Sequence, residues 1–165
     1  MSNPWTEYVK FLPSSIPLPS VYSEEELELL RGTSLQAAVE AKSAVLEREF
    51  KHLRECTEEA IPWCRECWWN EELGGNCVSI EDWKYVDAVY RSRMLDLPAI
   101  GHSMVPCLDM VNHASGGKAN AFYERDKDGN VVLRLRPGKS IHPGDEITIS
   151  CVTPRIRNSF VSLFC

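Results

Sequence analysis

Apolar residues recur at helical spacing from about residue 23 to about residue 94 of this chain. Beyond it they fall into short alternating runs cut by Asp128-Gly129, Pro137-Gly138 and Pro143-Gly144. A period of 3.6 and a period of 2 cannot be exchanged without turning core side chains into solvent. Helices come first and short β elements follow, which is an α+β arrangement. With 165 residues, 44% of them hydrophobic, the chain can build one globular domain or part of a larger one.

The opening residues carry Pro4, Pro13, Pro17 and Pro19, so an extended segment is expected over 1–22, packed down through Trp5, Tyr8, Phe11 and Leu12. Ser23 and Glu26 form a capping box, and the helix it opens should end near Gly32. Thr33 or Ser34 then starts a longer helix, to about Cys56. Its inward stripe is Leu35, Ala38, Val39, Val45, Leu46 and Phe50, with Lys42 laying its stem along that stripe and its ammonium in water. Pro62 suits the first turn of a short helix, ended by Gly74-Gly75. Ser79 and Asp82 cap a further helix to about Met94, with Trp83, Val86, Val89 and Tyr90 facing inward. Residues 95–106 read as a loop leading into an extended segment. Strands are expected at 120–125, 130–136, 139–141 and 146–150, and a helix at 155–164.

Charge and composition exclude several classes. The 18 basic and 24 acidic residues give a net charge of −6 without any basic stripe, so direct nucleic-acid binding is not expected. No apolar run approaches the length of a bilayer span, and Met-Ser-Asn-Pro-Trp-Thr-Glu lacks the basic-then-apolar order of a secretory signal. Seven cysteines, an odd number, then read as reduced thiols in the cytoplasm or nucleus.

Chemistry concentrates in residues 105–113, Val-Pro-Cys-Leu-Asp-Met-Val-Asn-His. Leu108, Met110 and Val111 can anchor this stretch in a core, while Asp109, Asn112 and His113 need partners if they are buried. Such a mixture suits the wall of a ligand pocket. Other constellations are weaker. Cys64-x-x-Cys67 lies between Cys56 and Cys77, but a second close pair is missing, so buried thiols in a Trp-lined core are expected and no metal site is assigned. A Cys107–His113 nucleophile lacks a third orienting group. Asp109 and His113 could share a metal on a helix, but no third ligand is evident. No phosphate-binding glycine loop is present. What remains is hydrogen-bond recognition by Asn112 and His113, with Arg93 offering a fork for a carboxylate.

The ordered set Ser92-Arg93, VPCLDMVNHA over 105–114, Asn120-Ala121, the Asp128-Gly129 hairpin and IHPGDEITIS over 141–150 resembles a SET domain. It is similar in particular to the split SET domain of the Rubisco large-subunit methyltransferase-like lysine methyltransferases, in which a helical insert divides the fold. The resemblance runs from about residue 10 onward. It implies an extended segment over 1–22, the helical insert over 23–94 and the C-terminal part of the SET domain over 95–165.

The resemblance also implies roles. S-adenosylmethionine would be the cofactor, held by Asn112 and His113, with Arg93 near its carboxylate and Ser92 beside it. Asp109 and Tyr123 would line the channel for the lysine of a protein substrate, Tyr123 also standing among the catalytic residues. Cys151 occupies the position of the family's catalytic tyrosine, and a thiol is a weak donor without the ring. The family's glycine-containing N-terminal SET segment has no counterpart before the insert, so the chain is expected to be N-terminally incomplete. The reading that follows is a protein-lysine N-methyltransferase. Its alternatives are a non-catalytic SET-like binding module and, on the clustered cysteines alone, a zinc-stabilised helical protein.

Overall fold

The computed structural model of the chain describes residues 3, 5–70, 77–97, 100–115 and 117–150. They fall into two compact units. One is Pro13–Val89; the other joins the first twelve residues to the chain from Tyr90 on. Contacts thus divide the chain at 12/13 and 89/90.

The Pro13–Val89 unit is helical. After a 3-10 turn at Pro19–Val21, Ser23 accepts from the Glu26 N–H at 3.3 Å while the Glu26 carboxylate accepts from the Ser23 N–H at 2.8 Å. This reciprocal cap starts a short helix, Glu24–Glu28. Gly32 follows at φ +76°, a conformation open to glycine at little cost. The long helix Ser34–Glu58 comes next. Val39 and Leu46 are buried on it, but Ala38 is exposed, contrary to the expected stripe. The inward line runs instead through Leu35, Val39, Lys42, Leu46 and Phe50. Lys42 therefore sits within it, and its ammonium meets the Asp87 carboxylate at 3.0 Å rather than open water.

Pro62 occupies the first turn of the helix Pro62–Trp68. Trp69, just after it, is buried against the long helix. Its ring lies 5.7 Å from that of Phe50, and its indole N–H donates to Thr57 Oγ1 at 3.1 Å. Gly74 and Gly75 lie outside the described residues; the helix has already ended at Trp68. Ser79 and Asp82 exchange caps at 2.8 and 3.1 Å and open the helix Ile80–Arg93. Ala88 and Val89 are its buried residues. Val86 and Tyr90, expected inward, are exposed, because the buried arc is centred one residue earlier, on Ala88 and Val89 with half-buried Tyr85.

In the other unit, the proline-rich start contains one helical turn, Thr6–Val9, which fits between Pro4 and Pro13 because neither ring has to enter it. Residues expected as a loop form a small hairpin: β1 (Leu95–Leu97) pairs antiparallel with β2 (Gly101–Ser103). A 3-10 turn, Leu108–Met110, leads into β3 (Asn112–His113). Next come β4 (Ala121–Arg125) and β5 (Val131–Leu135), antiparallel, with Tyr123 opposite Leu133. Gly129 at φ +87° turns the loop between them, and the Asp126 carboxylate accepts from the Asp128 and Asn130 N–H groups. Finally β6 (Thr148–Ile149) lies parallel to β3. A parallel pair needs a long crossover, and the β4–β5 hairpin lies within it.

Residues 139–141 are not a strand: the turn that closes from Lys139 N–H onto Arg136 O ends strand geometry there. Leu133 and Leu135 are exposed, since β5 has a neighbour only on its β4 side among the described residues. The core gathers Leu95, Leu97, Leu108, Ala121 and Ile149, with Val105, Val111, Tyr123 and Val131 packed around it. Every strand except β2 and β3 places a residue in or against this core. The expected helix at 155–164 lies outside the described residues.

Candidate functional site

The site is built on residues 105–113. The Asp109 N–H closes back on Val105 O at 2.9 Å, and Cys107 takes φ +70°, ψ −38° to make the bend. Positive φ in a residue with a Cβ is strained by about 1–3 kcal/mol. The bend turns Leu108 into the core and leaves Met110 37% exposed, so Met110 is not the anchor the sequence suggested. It also buries the Asp109 carboxylate, whose side-chain exposure is 0%.

Arg93 stands on the last turn of its helix, and its Nη1 lies 3.6 Å from Asp109 Oδ2 and 3.4 Å from Asp109 O. The guanidinium and carboxylate, sixteen residues apart, are thus brought together. Arg93 Nε and Asp109 Oδ1 are buried and have no hydrogen-bond partner among the described residues. Ser92 lies beside Arg93 and is exposed.

Asn112 and His113 run along β3 and are exposed. Asn112 Nδ2 donates to Glu146 Oε1 at 2.5 Å, on an exposed side chain. Asn120 secures the neighbouring strand: its amide donates to Glu146 O at 2.8 Å, and its oxygen accepts from the Thr148 N–H at 2.8 Å. The pairing of β3 with β6 is therefore bracketed by two asparagines. Tyr123, half-buried on β4, donates from its hydroxyl to Asp96 O at 3.3 Å and packs against the same core as Leu108. Cys151 lies outside the described residues. Because β3 is extended and the 3-10 turn stops at Met110, Asp109 and His113 do not share a helix face. Among the described residues no group of three or more His, Cys, Asp or Glu is close enough to hold a metal.

Sequence reasoning missed Tyr8. Its hydroxyl donates to Asp109 Oδ2 at 2.5 Å, across 101 residues of sequence. Burial, then the bond to Asp109 and the charge of that carboxylate, push the phenol up to about 12. The only signal was its place among aromatic residues in a proline-rich segment, which indicated packing but no partner. Glu146 was also missed as the acceptor for Asn112; it lies inside the motif 141–150 without any local cue. Two shallow hollows lie in the helical unit, one walled by Glu55, Glu58, Glu59 and Arg65, the other lined from Glu24 to Glu47. Neither includes a residue of this site.

Short strands around one small core, a parallel β3–β6 pair and a helical unit ahead of them define an α+β fold of the SET-domain class. The SET domain of LSMT, solved with lysine and AdoHcy, superposes with a TM-score of 0.67 over 92% of this chain and 34% of that one, at 22% identity. Rubisco LSMT bound to AdoMet gives 0.64, with 92% and 32% covered and 22% identity. No family model matches the chain. Among curated proteins it is 28% identical over 149 residues to SET domain-containing protein 8 of Schizosaccharomyces pombe, covering 90% of this chain. It is 27% identical over 151 residues to the chloroplastic [fructose-bisphosphate aldolase]-lysine N-methyltransferase of Arabidopsis thaliana, covering 88%. The chain spans about 30% of the length of each of these relatives. The chain thus has the fold of the LSMT SET domain and is similar in sequence to SET domain-containing proteins, as its ordered motifs indicated.

Proposed function

We propose that the chain is part of a protein-lysine N-methyltransferase that uses S-adenosylmethionine, acting on a lysine of a protein substrate in the cytoplasm or nucleus. The observation that carries this reading is the contact of Arg93 with Asp109, three residues ahead of the Asn112–His113 strand in the same compact unit. The donor set suits the cofactor. Glu146 fixes the amide nitrogen of the exposed Asn112, and exposed His113 follows it on the same strand. Arg93 carries a buried Nε without a hydrogen-bond partner among the described residues. When bound, S-adenosylmethionine supplies a methyl group on a sulfonium.

The residues of this chain would bind and orient. Asn112 and His113 would read the polar edge of the nucleoside, and Arg93 the carboxylate end. Asp109 and Tyr123 would border the lysine channel, where alignment and local electrostatics account for most of the rate gain. Among the described residues no helix is long and apolar enough to cross a membrane.

Cys151, where the family carries a tyrosine, favours a second reading, a SET-like module that binds protein without turnover. Methyl transfer from labelled S-adenosylmethionine to a protein extract separates the two. Little transfer is expected from the unaltered chain and a measurable gain from Cys151→Tyr. Brisk turnover by the unaltered chain would contradict the weight given to Cys151, and no gain from the variant would favour the binding module.

A further inference from the structure

We propose that Tyr8 is a positioning residue: its hydroxyl locks the Asp109 carboxylate and so holds the turn that contacts Arg93 and leads into Asn112 and His113. The proposal rests on the cofactor reading above.

A buried carboxylate needs both a partner for its charge and a donor to its oxygens. Asp109 has no exposed side-chain surface, and an ionised group in that setting must be paired and hydrogen-bonded. Arg93 answers the charge but not the bond, since Nη1 stays 3.6 Å from Oδ2 and reaches the backbone oxygen at 3.4 Å instead. Oδ1 takes no hydrogen bond among the described residues. Among the described residues, the Tyr8 hydroxyl is therefore the one hydrogen-bond donor to this carboxylate, at 2.5 Å. An O–H donating to a carboxylate is among the stronger and shorter hydrogen bonds.

The position of Asp109 makes this bond matter for the site. It sits two residues after the strained Cys107 bend and three before Asn112. A strained turn persists only while its surroundings hold it. Without the hydroxyl, the carboxylate must either draw the guanidinium off the Asp109 backbone oxygen or swing out toward water. The first moves Arg93, and the second rotates the turn that sets β3. In both cases the groups assigned to the cofactor lose their alignment, although the Tyr8 ring could still pack.

The test is calorimetric titration with S-adenosylmethionine of the unaltered chain, Tyr8→Phe, Asp109→Asn and the double variant, each held well below its melting temperature. Tyr8→Phe is expected to weaken binding roughly tenfold, the scale of one hydrogen bond to a charged group. The double variant should bind no more weakly than the poorer single variant, because both changes break the same link. A phenol absorbance titration, taken as the difference between the unaltered chain and Tyr8→Phe, gives a readout independent of ligand. It should show one group ionising near pH 12 that moves back toward 10 in Asp109→Asn. A tyrosine that served stability alone would leave the low-temperature affinity unchanged. Equal affinity for Tyr8→Phe, additive losses in the double variant, or a Tyr8 phenol ionising at its ordinary value would overturn the positioning role while the cofactor reading stood. No heat from the unaltered chain would overturn both.

Discussion

At Cys107 a side chain is held at φ +70°, where only glycine is comfortable. Relief of strain there competes with the extra entropy glycine loses on folding. Cys107→Gly should therefore raise the unfolding free energy by up to about 1 kcal/mol, read from the shift of a urea midpoint at constant slope. Tyr8 carries a dependence on pH whose sign follows from its direction of shift. Its phenol ionises near 10 when unfolded and near 12 when folded. The stabilisation is complete below pH 10 and is lost as pH rises through 12. Melting temperature should fall over that window, and Tyr8→Phe should flatten the fall. The residues legible from sequence were those whose partners lie within a turn or within a compact motif, such as Ser23 with Glu26. The Tyr8–Asp109 bond was not legible, because no local pattern announces a partner 101 positions away.

Elements followed the sequence where their ends were chemically marked. Pro62 opened its helix, and Ser79 with Asp82 opened the next. The Asp82 carboxylate is held below its ordinary value, first by the Ser79 N–H and then by the Ser79 hydroxyl. Its contribution is therefore present above the unfolded carboxyl range and lost as pH falls through the depressed value. Ser79→Ala removes the oxygen that accepts the Asp82 N–H at 3.1 Å and should cost about 0.5–2 kcal/mol at neutral pH. Thermal unfolding of the two chains side by side checks it. Elements were missed where the pattern was too short to carry a period. Leu95-Asp-Leu97 and Gly101-His-Ser103 are three residues each, and only their pairing makes them strands. Ala38 and Val86 were assigned to the wrong face because helical spacing identifies a stripe only to within a neighbouring position, and tertiary contacts choose between them.

For the molecule as a whole, the order of helices before short strands, read from the change of period, gave the α+β class, and the ordered motifs indicated the SET fold. The internal ties of each unit were less visible. In the helical unit, Lys42 and Asp87 retain 24% and 14% side-chain exposure and join the long helix to the last one. Removing one partner leaves a charge beside apolar neighbours, so Asp87→Ala should cost about 1–2 kcal/mol, discounted for the remaining contact with water. Lys42→Met with Asp87→Leu should recover part of that loss, as measured by denaturant unfolding, because a partly buried pair can be replaced by apolar contact.

The central claim is that β3 and its neighbours form a cofactor surface, and calorimetry with S-adenosylmethionine addresses it most directly. Heat that saturates at or below millimolar ligand, and that disappears when Asn112 is changed to Ala in a chain of unchanged near-ultraviolet circular dichroism, is the expected result. No heat from the unaltered chain, or equal heat from Asn112→Ala, would contradict it.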